Sequence, residues 1–209
     1  MLLDRLTTRA AARGVCQNRN VDGNETQIAL ADPGALLATT HRVGSDTPVR
    51  LRLTRPSDAR GVEAFLSRLS PESRRRRFSV PTPDVGDKVV RHFTFYDPRE
   101  RLVVAATVPQ AGGEELVGLA DVVLLETGLA ELAVVVADEH QALGVGTLLA
   151  EAIASLSAQQ GATHVKAEVL GENQAMTRVM ERLGTTVRSV EDGVSVVYTR
   201  LPAQARRAA

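Results

Sequence analysis

The sequence predicts a mixed α/β domain around one central sheet, and three observations carry that expectation. Val49, Leu51 and Leu53 alternate with Arg50 and Arg52, the period of two that marks a half-buried strand. Apolar runs separated by short polar turns then fill residues 102–137, as in an antiparallel meander. Beyond that, helical spacing and short strand-like runs alternate to the end of the chain, the order of a layered α/β fold.

Each element has a local reason. Pro56 stands at a helix first turn with Asp58 behind it, and Val62, Phe65, Leu66 and Leu69 follow at helical spacing. Ser70 and Pro71 repeat the start signal as N-cap and first helical residue, opening a short helix that carries Arg74 to Arg77. Val85, Val89, Val90 and Phe93 mark a third helical face, which Asp97 and Pro98 end. Strands are expected over residues 102–107, 116–125 and 129–137. The last is apolar on both faces, so it is expected to be central and covered on both sides. A helix over 146–160 buries Leu148, Leu149, Ala152, Ile153 and Leu156 and is capped by Gly161. A strand over 165–169, a helix over 173–183 capped by Gly184, and a hairpin turning at 191–193 complete the order.

Residues 1–47 read differently. Gly14, Asn18, Asn20, Gly23, Pro33 and Gly44 punctuate a stretch of weak periodicity, which predicts an extension that is weakly structured or loosely packed and dispensable for ligand binding. The folded domain is expected over 48–202, with 203–209 as a C-terminal tail.

Composition narrows the classes. The 25 basic and 25 acidic residues cancel, whereas nucleic-acid binders show a basic excess, so no nucleic-acid partner is expected. The longest stretch without a formal charge runs over 152–165, short of the roughly 18 residues that cross a bilayer, so no membrane span is expected. Asp4, Arg5, Arg9 and Arg13 interrupt the leading apolar residues, which argues against a secretory signal and for the cytoplasm. Cys16 is the lone cysteine, and the four histidines do not fall at ligand spacing, so no metal is expected. All basic residues but Lys88 and Lys166 are arginine, a skew that fits a GC-rich bacterial genome.

The most informative stretch runs from Val134, Val135 and Val136 to Thr147. A buried strand enters a turn with Gly144 and Gly146 and passes directly into a helix, so backbone N–H groups and the positive helix end converge on one point. Such a nest suits a pyrophosphate, although neither the dinucleotide fingerprint nor the NTP-binding loop is present. Glu131 interrupts an otherwise apolar strand, which makes it a candidate base.

Gln141, Ala142, Leu143, Gly144, Val145 and Gly146 resemble the Gln/Arg-x-x-Gly-x-Gly/Ala signature of the GNAT superfamily of acyl-CoA-dependent N-acetyltransferases. Glu172-Asn173 through Leu183-Gly184 is similar to its second conserved segment, and the element order over 49–201 agrees. The segments 69–78, 130–133 and 172–176 are most similar to the acetyltransferase domain of bacterial protein lysine acetyltransferases.

The resemblance implies a mostly antiparallel sheet splayed between its fourth and fifth strands, with helices on both faces. It implies acetyl-CoA as cosubstrate in that cleft. The pantetheine arm would lie on the backbone around Val134, Val135 and Val136. The pyrophosphate would lie on Gln141, Ala142, Leu143, Gly144, Val145, Gly146 and Thr147, and Asn173 would add a contact; its alternative reading is a helix N-cap. Glu131 would be the general base for a protein lysine or small amine acceptor. Two positions depart from the family pattern: Met180 stands where many members carry the Tyr that protonates the departing thiolate, and Thr185 where an aromatic is common. The Met180 departure keeps a catalytically silent acyl-CoA sensor open beside the two enzyme readings.

Overall fold

The structure is a computed structural model that describes residues 30–78, 85–125, 128–170, 173–191 and 194–202. The turn residues 192–193 and Glu172, named in the sequence reading, lie outside the described residues. Eight strands form one mixed sheet in the order β1-β2-β3-β4-β5-β6-β8-β7. The strands are β1 (Thr40–Val43), β2 (Thr47–Leu53), β3 (Arg101–Gln110), β4 (Gly113–Leu124), β5 (Leu129–Val136), β6 (His164–Val169), β7 (Thr185–Glu191) and β8 (Val194–Arg200). All neighbours are antiparallel except β5 and β6, which are parallel.

The helices are α1 (Pro33–Ala38), α2 (Ala59–Arg68), α3 (Pro71–Phe78), α4 (Asp87–Thr94), α5 (Val145–Gln159) and α6 (Gln174–Leu183). They cover both faces, because each strand alternates its side chains between two hydrophobic clusters. On one face Leu149 and Ile153 of α5 and Met180 and Leu183 of α6 pack on Val104, Val122, Leu132 and Val165. On the other, Phe65 and Leu66 of α2 and Phe93 of α4 pack on Val103, Ala105, Leu119 and Val135. Phe65 and Phe93 are fully buried, so truncating either to Ala is expected to cost about 3–5 kcal/mol.

The local start and stop signals act as the sequence predicts. Ser70 Oγ accepts the Ser73 N–H at 3.2 Å, which makes it the cap of α3. Gly161 has φ +96° just after α5. Gly184 ends α6 for a steric reason: a Cβ there would lie 2.1 Å from the Arg200 carbonyl oxygen.

The structure departs from the sequence reading over residues 33–43, which are built into the fold. Asp32 caps α1 by accepting the Gly34 N–H, and Pro33 is its first residue rather than a breaker. β1 adds an edge strand to β2, with Thr40 opposite Arg50 and Val43 opposite Thr47. Leu36 and Val43 are buried in the α5-side core. A six-residue helix and a four-residue strand are too short to leave a period in the sequence, and Gly44 is the hairpin turn between β1 and β2.

Candidate active site

The sheet opens beside β5. β4 flanks β5 from Leu124↔Ala130 to Gly118↔Val136. β6 meets it only at Leu129↔His164, Ala130↔Val165 and Glu131↔Lys166, then continues to Val169 against β8. Among the described residues, no strand lies against the β6 side of β5 beyond Glu131. With β1 counted, these are the strands that the sequence reading numbered fourth and fifth; both faces of β5 are covered, as expected, and its edge toward β6 is partly open.

Ladder parity decides which groups face the opening. The Ala137 N–H donates to the Val117 carbonyl at 2.8 Å. Odd-numbered residues of β5 therefore turn their main chain to β4, and Val134 and Val136 turn theirs to the opening. An unpaired strand edge is a template for an extended, amide-bearing ligand. The same alternation removes Val135 from the candidate contacts: its backbone addresses β4, and its side chain is buried under α2 and α4. The Val136 carbonyl already accepts Gln141 Nε2 at 3.1 Å.

β5 runs into a 3₁₀ turn, Asp138–His140, and then into the loop that opens α5. Ala142 and Gly144 take positive φ, +59° and +95°, which swings successive N–H groups to one side and makes Gly144 the N-cap of α5. Val145, Gly146 and Thr147 form the first turn, whose N–H groups have no partner within the helix. Only Gly144 needs glycine's backbone freedom here. A Cβ on Gly146 would make an ordinary 3.6 Å contact with Val136 Cγ2. Leu143 is braced from outside, its carbonyl accepting the Gly44 N–H at 2.9 Å.

The Gln141 side chain turns away from the nest. Its Nε2 also donates to Ser73 Oγ at 2.9 Å. Asp138 accepts Ser70 N, Ser70 Oγ and Ser73 Oγ at 2.8, 2.7 and 2.7 Å. Burial pushes the Asp138 carboxyl up, but these hydrogen bonds outweigh it and hold the group below its ordinary range. The result is a polar weld between the start of α3 and the loop after β5. His140 is largely covered, with Nδ1 buried beside Glu139. Asn173 realises the N-cap reading, Oδ1 accepting the Met176 N–H at 3.2 Å. Met180 is fully buried in the α5-side core, so that position of α6 presents no side chain to solvent.

Glu131 lies on the α2–α4 face, at the last paired position before the strands part. Cross-strand register places it in a row with Arg101, Val123, Lys166 and Tyr198. Glu131 Oε2 is 3.1 Å from Lys166 Nζ.

Next to this row is a buried charge cluster. Asp121 of β4 pairs with Arg77 of α3, and His92 Nε2 of α4 is 3.5 Å away; all three side chains are less than a tenth exposed. Arg101 contacts the His92 ring. Burial pushes the Asp121 carboxyl up, but the Arg77 charge and His92 overcome this and hold it well below the carboxylate range. Burial pushes His92 down, with Arg101 and Arg77 adding to the effect, and Asp121 does not restore it. The Arg74 to Arg77 run thus divides: Arg75 and Arg76 pair with Glu72 on the surface, while Arg77 points inward. The Nε atoms of Arg74 and Arg77 are buried and make no hydrogen bond among the described residues.

Sequence reasoning missed Asp121, His92, Arg101 and Lys166 as members of this neighbourhood. Asp121 carries the signal that singled out Glu131, an ionisable residue inside an apolar strand, whereas Lys166 alternates with His164 and Glu168 on the polar positions of β6. Ser70, Ser73 and Asp138 meet across 65 or more positions of chain, and no local pattern shows that.

A sheet opened beside its central strand, with a helix N-terminus at the opening, is the arrangement that the resemblance to acyl-CoA-dependent N-acetyltransferases implied. The profile of the acetyltransferase (GNAT) family matches residues 67–185, and the chain belongs to that family. It is 25% identical over 152 residues to an acetyltransferase of Pseudomonas aeruginosa, covering 72% of this chain and 82% of the relative. Among solved structures, the GNAT domain of S. lividans PAT is 32% identical with a TM-score of 0.70, covering 78% of this chain and 96% of that one. A cAMP-binding acyltransferase from Mycobacterium smegmatis is 26% identical with a TM-score of 0.53 over 84% of this chain, which spans about half (51%) of its length. No helix among the described residues is long and apolar enough to cross a membrane.

Proposed function

We propose that the chain transfers the acetyl group of acetyl-CoA to a primary amine, with a protein lysine as first-choice acceptor and Glu131 as general base. The observation that carries this reading is the place of Glu131: at the vertex of the opening, on the α2–α4 face, holding the ammonium of Lys166 at 3.1 Å. A carboxylate that already holds one primary ammonium has the geometry to receive another.

In this reading the pantetheine arm pairs with the main chain of Val134 and the N–H of Val136. The pyrophosphate rests on N–H groups between Ala142 and Thr147, at the start of α5. The acceptor ammonium enters from the α2–α4 face and gives one proton to Glu131, directly or through water. The neutral nitrogen then attacks the thioester carbonyl, the C–S bond breaks, and the second amine proton ends on the departing thiolate. A thiol has a reference pKa of about 8.5, so it leaves readily as its anion, and a dedicated acid in the place of Met180 is not required. The lysine preference rests on the resemblance of 69–78, 130–133 and 172–176 to protein lysine acetyltransferases. The protein is placed in the cytoplasm of a bacterium on its sequence alone.

The buried Met180 favours one competing reading, an acyl-CoA sensor without turnover. Calorimetric binding of acetyl-CoA, combined with free-thiol release over a panel of proteins and small amines, tests both. Thiol release with lysine-bearing proteins is the expected result. Release with small amines only would move the acceptor class, and binding without release on any acceptor would establish the sensor.

A further inference from the structure

Lys166 is one of two lysines in a chain that otherwise uses arginine for every basic side chain. For an ion pair alone, arginine serves as well or better, since its planar fork holds a carboxylate in two places. What lysine offers in addition is a nitrogen that can lose its proton and act as a nucleophile. The other lysine, Lys88, is exposed on α4.

Lys166 stands where an acceptor amine is needed. It is the last residue of β6 that pairs with β5, opposite Glu131, and the two strands part immediately beyond it. Its Nζ lies 3.1 Å from Glu131 Oε2, and its side chain is 14% exposed. Arg77, Arg101 and Asp121 form a charge cluster beside it, and the Glu131 charge acts on Arg101 as well; among the described residues Glu131 is the ion-pair partner that the Lys166 ammonium meets.

We infer that Lys166 is an internal acetyl acceptor: with acetyl-CoA bound and no external amine present, the chain acetylates its own Lys166. This rests on the reading of Glu131 as base and of the opening as the acetyl-CoA site. On that reading the pantetheine arm runs along Val136 and Val134 toward the vertex, which brings the thioester toward Nζ. Glu131 takes one proton from the Lys166 ammonium, and the freed nitrogen attacks the carbonyl carbon. The N–C bond forms, the C–S bond breaks, and CoA leaves as thiolate. Of the two protons that nitrogen loses, one passes through Glu131 to solvent and the other ends on the CoA sulfur. No oxidant or further reactant is needed. The product amide carries no charge, so Glu131 loses its counter-ion.

The test is to incubate the full chain with acetyl-CoA alone and follow intact mass and a peptide map over time. One added acetyl group on Lys166 is expected, at a rate independent of protein concentration and at least roughly tenfold faster than on exposed Lys88, the internal control for uncatalysed chemistry. Lys166→Arg should bind acetyl-CoA and lose the adduct; Glu131→Gln should bind it and slow the labelling. Equal labelling of Lys88 and Lys166, or a rate that rises with protein concentration, would overturn the internal acceptor. An unmodified Lys166 beside ready acetylation of external amines would sink this inference and leave the proposed function standing. Bound acetyl-CoA with no acetylation of Lys166 or of any external amine would overturn both.

Discussion

The Gly44 N–H donates to the Leu143 carbonyl at 2.9 Å, tying the β1–β2 turn to the loop that opens α5. Leu143 also packs on Gly44 so closely that a Cβ there would meet its Cδ2 at 3.0 Å. The brace carries the effect of the N-terminal segment to the proposed pyrophosphate nest.

A chain beginning at residue 30 should therefore keep acetyl-CoA affinity, and one beginning at residue 48 should lose part of it. The shorter chain lacks α1 and β1, leaves β2 as a bare edge, uncovers the Leu36 and Val43 side of the core and frees Leu143. Melting temperature and calorimetric affinity of the two chains check this. Equal affinity would mean that the Gly44 brace does not order the loop.

Gly146→Glu should abolish acetyl-CoA binding without unfolding the chain. The new carboxylate would stand in the first turn of α5, where there is room for a Cβ. Like charges about 4 Å apart near a protein surface repel by about 4 kcal/mol, on the order of a thousandfold in affinity. Gly144→Glu is a poorer probe, since φ +95° adds backbone strain of about 1–3 kcal/mol to the charge effect. Far-ultraviolet dichroism with titration calorimetry reads the result. Unchanged affinity in folded Gly146→Glu would remove the pyrophosphate from this loop.

The fold was legible wherever an element was long enough to show a period. The α2 stripe of Val62, Phe65 and Leu66 and the cap at Ser70 could be read residue by residue. Glu131 stood out because one charge inside an apolar strand is costly and needs a reason. Asp121 stood in the same kind of strand, but its reason, Arg77 and His92, lies on two helices distant in sequence. Val135 was grouped with Val134 and Val136 because a sequence shows a run of valines and not which way each amide points. α1 and β1 were missed because their stability comes from docking on α5 and β2 rather than from their own pattern.

Asp121→Asn should destabilise the fold by about 3–5 kcal/mol, since it leaves Arg77 buried without its counter-charge. The pH dependence follows from the directions. His92 and Asp121 both bind protons less readily folded than unfolded, so in each case the unfolded chain takes up protons first and stability falls with falling pH. The His92 contribution begins as pH drops below about 6.5 and the Asp121 contribution below about 3.9, the unfolded values. Denaturant unfolding from neutral to acid pH should show both, and His92→Gln should remove the first. A wild-type stability that is flat between about pH 7 and 5 would show that His92 is not held neutral.

Glu131→Gln tests the base. The amide keeps size and a hydrogen bond to Lys166 but accepts no proton, so acetyl-CoA affinity should hold while turnover on a saturating external acceptor drops by roughly 10² to 10⁴. The wild-type rate should climb with pH and then level as a neutral acceptor becomes abundant. The variant should recover part of its loss at high pH, where the amine reaches the thioester already deprotonated. That recovery separates loss of a base from damage to the opening, because a distorted vertex would depress turnover equally at every pH. The profile is measured by thiol release between about pH 6 and 9.5 for both proteins, with acetyl-CoA affinity recorded alongside. A variant within roughly threefold of wild type throughout would show that Glu131 serves Lys166 and the sheet alone, and that the proton leaves by another route.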